Sequence, residues 1–267
     1  MPIRCDYHMH TPRCQHAAGP IEAYVERALA LGLGEMGFAC HNPLPHGYGA
    51  NVRMTESELP DYVNDVLRLR EVYRGQIDVR LGLEMDYVVG LEDYLRQQAA
   101  DYPWDYLIGS IHYLDPACRT PSWPRNYAGD IHALYARYFE LVRQMAGSGL
   151  CDIVAHFDVP KRTGRAPGER ETEAIAATLD QIARAGIALE INTSGYRHAE
   201  PPWPEPYPSL AIVEQALARG IPLTVNSDAH SPVQVGWMFD EVEKFLARQG
   251  CRQLWRFEKR RRTAYAL

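Results

Sequence analysis

Long apolar runs are missing from this 267-residue chain, and so is any excess of basic charge. No stretch approaches the roughly 20 apolar residues that cross a bilayer, so no membrane association is expected. The opening residues MPIRCDYHMH lack the apolar core of a secretory signal and already carry reactive side chains. The expectation is a cytoplasmic protein. Its six cysteines (Cys5, Cys14, Cys40, Cys118, Cys151, Cys251) include no CxxC pair, which argues against a disulfide framework and for free thiols. Cys5, Cys40 and Cys151 lie in strand-like runs, where a thiol packs as a small hydrophobe. Cys14 and Cys40 stand near histidines and are kept as alternative metal ligands. A net charge of −6 gives no electrostatic footprint for nucleic acid. The one basic run, Lys259–Arg262, reads as a solvated or salt-bridged segment.

What is present is a regular alternation. With 46% hydrophobic residues the chain can bury a sizeable core, and no part has the composition of a disordered segment. Strands are expected at Ile3–His8, Leu33–Cys40, Ile77–Glu84, Tyr106–Ile111, Cys151–Ala155, Ala188–Ile191 and Pro222–Asn226. Between several of them the apolar period lengthens to that of a helix. Ile21, Tyr24, Val25, Ala28 and Leu29 form one stripe, opened by Pro20 and closed by Gly32. Further stripes run through Ile131–Met145, Ile175–Ile182, Val213–Leu217 and Met238–Phe245. Repeated βα units predict an α/β fold with parallel strands. A doubly wound open sheet would accommodate them, but a closed barrel does so more naturally. No linker interrupts the series, so residues 1–267 read as a single domain. The proline-rich stretch Pro201–Pro208 reads as a loop inside one βα connection.

The chemistry is concentrated at the strand ends. The first strand leads into His8 and His10, with His16 in the loop beyond. The second leads to His41, the third to Glu84, the fourth to His112 and the fifth to His156. The seventh leads to Asp228 and His230. In a parallel α/β barrel these positions converge on the carboxyl-end face, where active sites are built. One histidine at a strand end is ordinarily a satisfied polar residue, and His8-x-His10 alone would be a weak motif. Ligand-type residues at six of seven strand ends, using seven of ten histidines, are a different matter. They predict a metal centre. His46 and His132 are assigned to structure or solvent, and His198, in a loop beside Arg197, is left open. Nine ligands exceed what one catalytic zinc takes and suit two or three divalent ions. Mixed imidazole and carboxylate ligation fits zinc, iron or manganese and argues against magnesium or calcium alone.

At these residues the sequence resembles the histidinol-phosphatase branch of the polymerase-and-histidinol-phosphatase superfamily, across essentially the whole chain. The resemblance is carried by Asp6-Tyr7-His8-Met9-His10-Thr11, Cys14-Gln15-His16-Ala17, Gly82-Leu83-Glu84 and Gly109-Ser110-Ile111-His112. It continues in Ala155-His156-Phe157-Asp158, Glu190-Ile191-Asn192-Thr193-Ser194-Gly195 and Ser227-Asp228-Ala229-His230. It implies a distorted seven-stranded (β/α)7 TIM-like barrel with three metal sites. One would be held by His8, His10, Glu84 and Asp228, a second by Glu84, His112 and His156, and a third by His16, His41 and His230. It also implies two arginines that hold a phosphate, here Arg162 and Arg197, the latter placed more firmly by its position after Ser194-Gly195-Tyr196. Two positions depart from the pattern. Cys40 precedes His41 where an acidic residue is common, and Asn226 stands where glycine is more usual.

The activity so implied is hydrolysis of L-histidinol phosphate to L-histidinol and phosphate, a step of histidine biosynthesis, with a small-molecule phosphomonoester as partner. A hydroxide held by the ions would attack phosphorus in line, while ions and arginines neutralise the phosphoryl oxygens. Asp228 or His230 would protonate the leaving alkoxide, and Asp115, in the loop after His112, could meet the substrate's amine. The rival readings are a nuclease or nucleotide phosphatase of the same superfamily, and a module whose metals only support folding. The chain has no basic, aromatic-lined track for single strands.

Overall fold

The computed structural model describes residues 3–124, 127–198 and 205–267. The first half of the loop expected at Pro201–Pro208, residues 201–204, lies outside the described residues. Seven parallel strands, β1 (Cys5–Asp6), β2 (Glu35–Phe38), β3 (Asp78–Asp86), β4 (Tyr106–Ser110), β5 (Ile153–Val154), β6 (Ala188–Asn192) and β7 (Leu223–Asn226), pair in sequence order. Every expected strand is present within a few residues of its expected bounds. The sheet curls back on itself just past β1 and β7. Met9 bridges Ala229 in parallel, the His10 N–H donates to the Ala229 carbonyl at 2.9 Å, and the Ala229 N–H donates to that of His8 at 3.0 Å. The result is a nearly closed α/β barrel of TIM type. All strands run the same way, so their carboxyl ends open onto one face.

Among the described residues seven α-helices surround the sheet: α1 (Ile21–Ala30), α2 (Leu59–Val72), α3 (Glu92–Asp101), α4 (Ile131–Gly147), α5 (Thr172–Ala185), α6 (Leu210–Ala218) and α7 (Phe239–Arg248). Each expected stripe is a helix. In α5 the stripe Ile175, Leu179 and Ile182 is buried, and the helix stops at Gly186, whose left-handed backbone (φ 67°) returns its N–H to the Ile182 and Ala183 carbonyls. The helices α2 and α3 were not anticipated. The first has a legible pattern, with Pro60 in its first turn and Leu59, Tyr62, Val63, Val66 and Leu69 buried at helical spacing. The second buries only Leu95 and Gln98, too little to mark a period. Among the described residues no helix is long and apolar enough to cross a membrane.

The barrel interior is filled by large rings. Tyr106 lies across it, its hydroxyl donating to the Tyr7 carbonyl at 2.6 Å. Two neighbouring strands make room by presenting glycine. A Cβ on Gly82 would sit 2.3 Å from the Tyr106 ring, and one on Gly37 would sit 2.3 Å from its hydroxyl. The end opposite the site is closed by a hairpin that the sequence reading did not foresee, β8 (Gln253–Glu258) and β9 (Arg261–Ala266). Its Phe257 enters the cluster around Tyr7, Tyr106 and Ile153, a burial worth roughly 1.5–3 kcal/mol. The turn is Lys259-Arg260, both residues left-handed. Asp105 accepts from the Lys259 N–H at 3.1 Å through its carboxylate and from the Arg260 N–H at 2.8 Å through its carbonyl. Arg260 is paired with Asp152, and Arg262 lies over the Trp255 ring at 4.9 Å. The basic run is therefore ordered into the turn and start of this hairpin.

Candidate metal centre

The expected ligands meet at the carboxyl ends of the strands. At the centre is Glu84, on β3 and 1% exposed, with five imidazoles around it. His41 Nδ1 lies 2.7 Å from its carboxylate, His156 Nε2 3.0 Å, His112 Nε2 3.4 Å, His8 Nε2 3.5 Å and His10 Nε2 3.6 Å. Asp228 approaches from beyond β7, its Oδ1 3.2 Å from His10 Nε2 and 3.8 Å from His8 Nε2. Donor atoms fall into compact groups: His8 with His10 and Glu84, Glu84 with His112 and His156, and His16 with His41 and His230. The first is fully buried and the last opens toward solvent. All nine expected ligands are thus brought together. Two further groupings, His10 with Cys14 and His230, and His41 with Asp86 and His112, overlap them. Cys40 is in none of them. Its thiol is buried and accepts from the Thr11 hydroxyl at 3.4 Å.

These residues fit metal ions by a test internal to the site. Buried polar atoms are ordinarily hydrogen-bonded. Here His8 Nε2, both ring nitrogens of His10, His41 Nδ1, Glu84 Oε2 and His156 Nδ1 are buried without a hydrogen-bond partner. The donor set of imidazoles and carboxylates suits zinc, iron or manganese. The electrostatics agree in sign. Burial opposes charge on Glu84, yet His41, His112 and His8 hold its carboxyl well below the usual range. Burial likewise disfavours a charged His8, but Glu190, Asp228 and Glu84 outweigh it and raise its pKa well above 6.5. The cluster calls for positive charge at its centre. Burial and the neighbouring His10 push His230 down to about 2, and burial takes His41 to about 4. Both are therefore neutral imidazoles, the form that binds metal.

Several residues that support the cluster were not assigned a role from sequence. Glu190, on β6, accepts from His8 Nδ1 at 2.7 Å and from the His156 N–H at 2.9 Å. Asn226 donates to the same carboxylate at 3.0 Å, so the residue that departs from the usual glycine braces it. Asp86 accepts from His112 Nδ1 at 2.7 Å. The available signal was strand periodicity, because Asp86 lies two residues beyond Glu84 and so on the same face.

A cavity of about 430 Å³ opens over the cluster, bordered by Arg162, Arg197, His198, Trp123 and Tyr207. Arg162 is exposed and lies over the Trp123 ring at 5.0 Å. Trp123 in turn meets the His112 ring edge-on at 5.2 Å. Arg197 is committed differently. Its two terminal nitrogens donate to the Ser227 and Asp228 carbonyls at 2.9 and 2.8 Å. Those carbonyls flank the Asp228 Cα, which adopts a left-handed conformation (φ 52°) that non-glycine residues rarely take. Asp115 does not border the cavity. Its carboxylate caps its own loop, accepting N–H groups of Ala117, Arg119 and Thr120. His132 pairs with Glu171 at 2.5 Å and His46 packs near Tyr48, both away from the cluster.

The model of the PHP domain family matches residues 6–194. The "Probable histidinol-phosphatase" of Deinococcus radiodurans is 39% identical over 93% of this chain and 94% of that protein. The histidinol-phosphatase of Bacillus subtilis is 29% identical over 91% of this chain and 98% of its own length. Among solved structures, the histidinol phosphate phosphatase of Lactococcus lactis, complexed with zinc, L-histidinol and phosphate, superposes with a TM-score of 0.81 at 18% identity. That match covers 97% of this chain and 98% of that one.

Proposed function

The chain belongs to the PHP domain family, and we propose that it is a metal-dependent histidinol-phosphatase, working as one unit in the cytoplasm and hydrolysing L-histidinol phosphate to L-histidinol and phosphate. The observation that carries this reading is the convergence of five imidazoles within 3.6 Å of the buried Glu84 carboxylate. Such a set would hold two or three zinc, iron or manganese ions, with Glu84 among the ligands. The activity is that of the Deinococcus and Bacillus relatives by name, and the Lactococcus structure carries this substrate's two products.

Divalent ions held by these residues would supply an activated water and neutralise charge on the phosphoryl oxygens. The remaining work falls to the side chains. Arg162, lying over Trp123, and Arg197, anchored to the carbonyls of Ser227 and Asp228, border the cavity and would hold the phosphoryl oxygens. His8 and His112 are kept in the ligating tautomer by Glu190 and Asp86. Asp228 and His230 are the expected donors to the departing alkoxide, but His230, held neutral by burial and His10, would first have to take up a proton. Burial opposes charge on Asp228, but His8 and His10 hold its carboxyl well below the usual range. That favours ligation as its main task. The deciding experiment loads the protein with zinc or manganese and compares phosphate release from histidinol phosphate, nucleoside monophosphates and single-stranded DNA. The reading predicts strong preference for histidinol phosphate.

A further inference from the structure

Arg53 is among the largest fully buried side chains, 2% exposed, and lies outside the nine strand-end residues. A buried guanidinium is costly to desolvate, and a buried ion pair is weak evidence for stability alone. Its two arms go to different strand ends. Nη2 donates to Asp86 Oδ2 at 2.5 Å, at the end of β3. Nη1 donates to the Asn42 carbonyl at 2.8 Å, directly after His41. The triangle closes through the Asp86 N–H, which donates to Asn42 Oδ1 at 3.0 Å.

Each corner leads to a candidate ligand. Asp86 Oδ1 accepts from His112 Nδ1 at 2.7 Å and from the His112 N–H at 3.2 Å. This leaves His112 Nε2 facing Glu84 at 3.4 Å and His156 Nε2 at 3.3 Å. The Asn42 N–H donates to the Glu84 carbonyl at 2.9 Å, and the Glu84 N–H to the Cys40 carbonyl at 3.0 Å. These bonds lock the backbone on both sides of His41. His112 belongs to the grouping with Glu84 and His156, and His41 to the grouping with His16 and His230.

We propose that Arg53 is a positioning residue that, through Asp86 and Asn42, holds one ligand of each of two metal sites in register. A point charge on a flexible stem cannot reproduce a fork that reaches a carboxylate and a carbonyl at once, which makes Arg53→Lys a graded probe. The inference rests on the metal-centre reading, and the experiment separates the two. The full chain and its Asp86→Asn, Arg53→Met and Arg53→Lys variants are loaded with zinc and titrated with a competing chelator. Zinc per chain is read by elemental analysis, and melting of the metal-free forms is recorded beside it. Removing the partner of a ligating histidine typically lowers metal affinity about 10–100-fold. Asp86→Asn and Arg53→Met should lose zinc in that range, and Arg53→Lys should recover part of what Arg53→Met loses. Combining Asp86→Asn with Arg53→Met should cost less than the sum, because the two act along one path. Variants that melt earlier yet retain zinc as the parent does would make the pair merely structural and overturn the proposal. Absence of zinc from the parent chain would overturn the metal-centre reading itself.

Discussion

His8 Nδ1 donates to Glu190 Oε1 at 2.7 Å, and both side chains are fully buried. This contact fixes which nitrogen of His8 carries the proton. Burial alone would raise the Glu190 carboxyl, but the His8 charge and hydrogen bond lower it, so the acceptor is an anion. Nε2, which faces Glu84 and Asp228, is left as the nitrogen that would give up its proton to a bound ion. Asn192 and Asn226 hold the carboxylate in place at 3.0 Å each. Glu190→Gln should keep the shape and lose the charge, lowering affinity for the buried ions by about 10–100-fold. Zinc content at equal free zinc checks it, and parent-like retention would remove Glu190 from the ligating apparatus.

Glu84 carries more of the centre than any single histidine, since its two oxygens face separate groups of imidazoles. Glu84→Ala should abolish turnover and reduce metal content. His16→Ala and His41→Ala, at the solvent-open grouping, should leave measurable activity and cost at most one ion per chain. Prolonged chelation of the parent should match Glu84→Ala, and zinc or manganese should restore it. Phosphate release and elemental analysis on the same samples would show the order; a Glu84→Ala protein with normal turnover contradicts it.

The barrel and the convergence of the candidate ligands are legible in the sequence because both rest on short-range pattern. Apolar runs of strand length bounded by helical stripes mark the βα units, and a ligand directly after a run such as Tyr106–Ile111 needs no tertiary knowledge to place. Other features depend on contacts distant in sequence. The acceptor role of Glu190 exists only because closure of the barrel brings β6 to within one strand of β1, although His8 and Glu190 are 182 residues apart. The hairpin β8–β9 has no apolar period to betray it. Only Leu254 and Phe257 of β8 are buried, and its turn is the dipeptide Lys259-Arg260 in place of the usual glycine pair. The family resemblance implies a phosphate-holding role for Arg197, but its hold on the two carbonyls around Asp228 is a three-dimensional fact.

That hold alters what its removal should do. Arg197→Ala should cost a charge-assisted contact of about 1.5–3 kcal/mol, roughly a ten- to hundred-fold drop in kcat/KM. It should also release the left-handed backbone at Asp228 and lower metal affinity. Arg162→Ala, which frees only a guanidinium stacked on Trp123, should raise KM with metal content unchanged. Kinetics and zinc content measured on both variants distinguish the roles, and equal zinc retention would refute the second role given to Arg197.

The glycines beside Tyr106 make a stability prediction independent of the metals. Gly37→Ala places a methyl 2.3 Å from the Tyr106 hydroxyl, and overpacking a filled barrel costs typically about 1–3 kcal/mol. Tyr106→Phe removes the offending oxygen but also its hydrogen bond to Tyr7. The double variant should therefore be more stable than the sum of the two single losses. Denaturant midpoints of the four proteins test this, and strict additivity would mean that Tyr106 moves aside.

Substrate preference follows from what the cavity can grip. Its lining includes two guanidinium groups, Arg162 and Arg197, beside the imidazole cluster, suited to a phosphate dianion, and Trp123, Tyr113, Pro121 and Val52 add ring and aliphatic surface. An imidazole-bearing leaving group can use that surface, whereas a small alkyl phosphate cannot. Binding energy from such a remote contact can be expressed in the transition state. Histidinol phosphate should therefore exceed simple alkyl phosphates and nucleoside monophosphates in kcat/KM, and removing its imidazole and amine should depress kcat as well as affinity. Trp123→Ala should narrow the gap, because it removes ring surface open to the leaving group. Its effect on Arg162 would fall on all phosphomonoesters alike and cancels in the ratio. If nucleotides prove the better substrates under equal metal loading, the assignment to histidinol phosphate fails while the metal-dependent phosphoesterase survives.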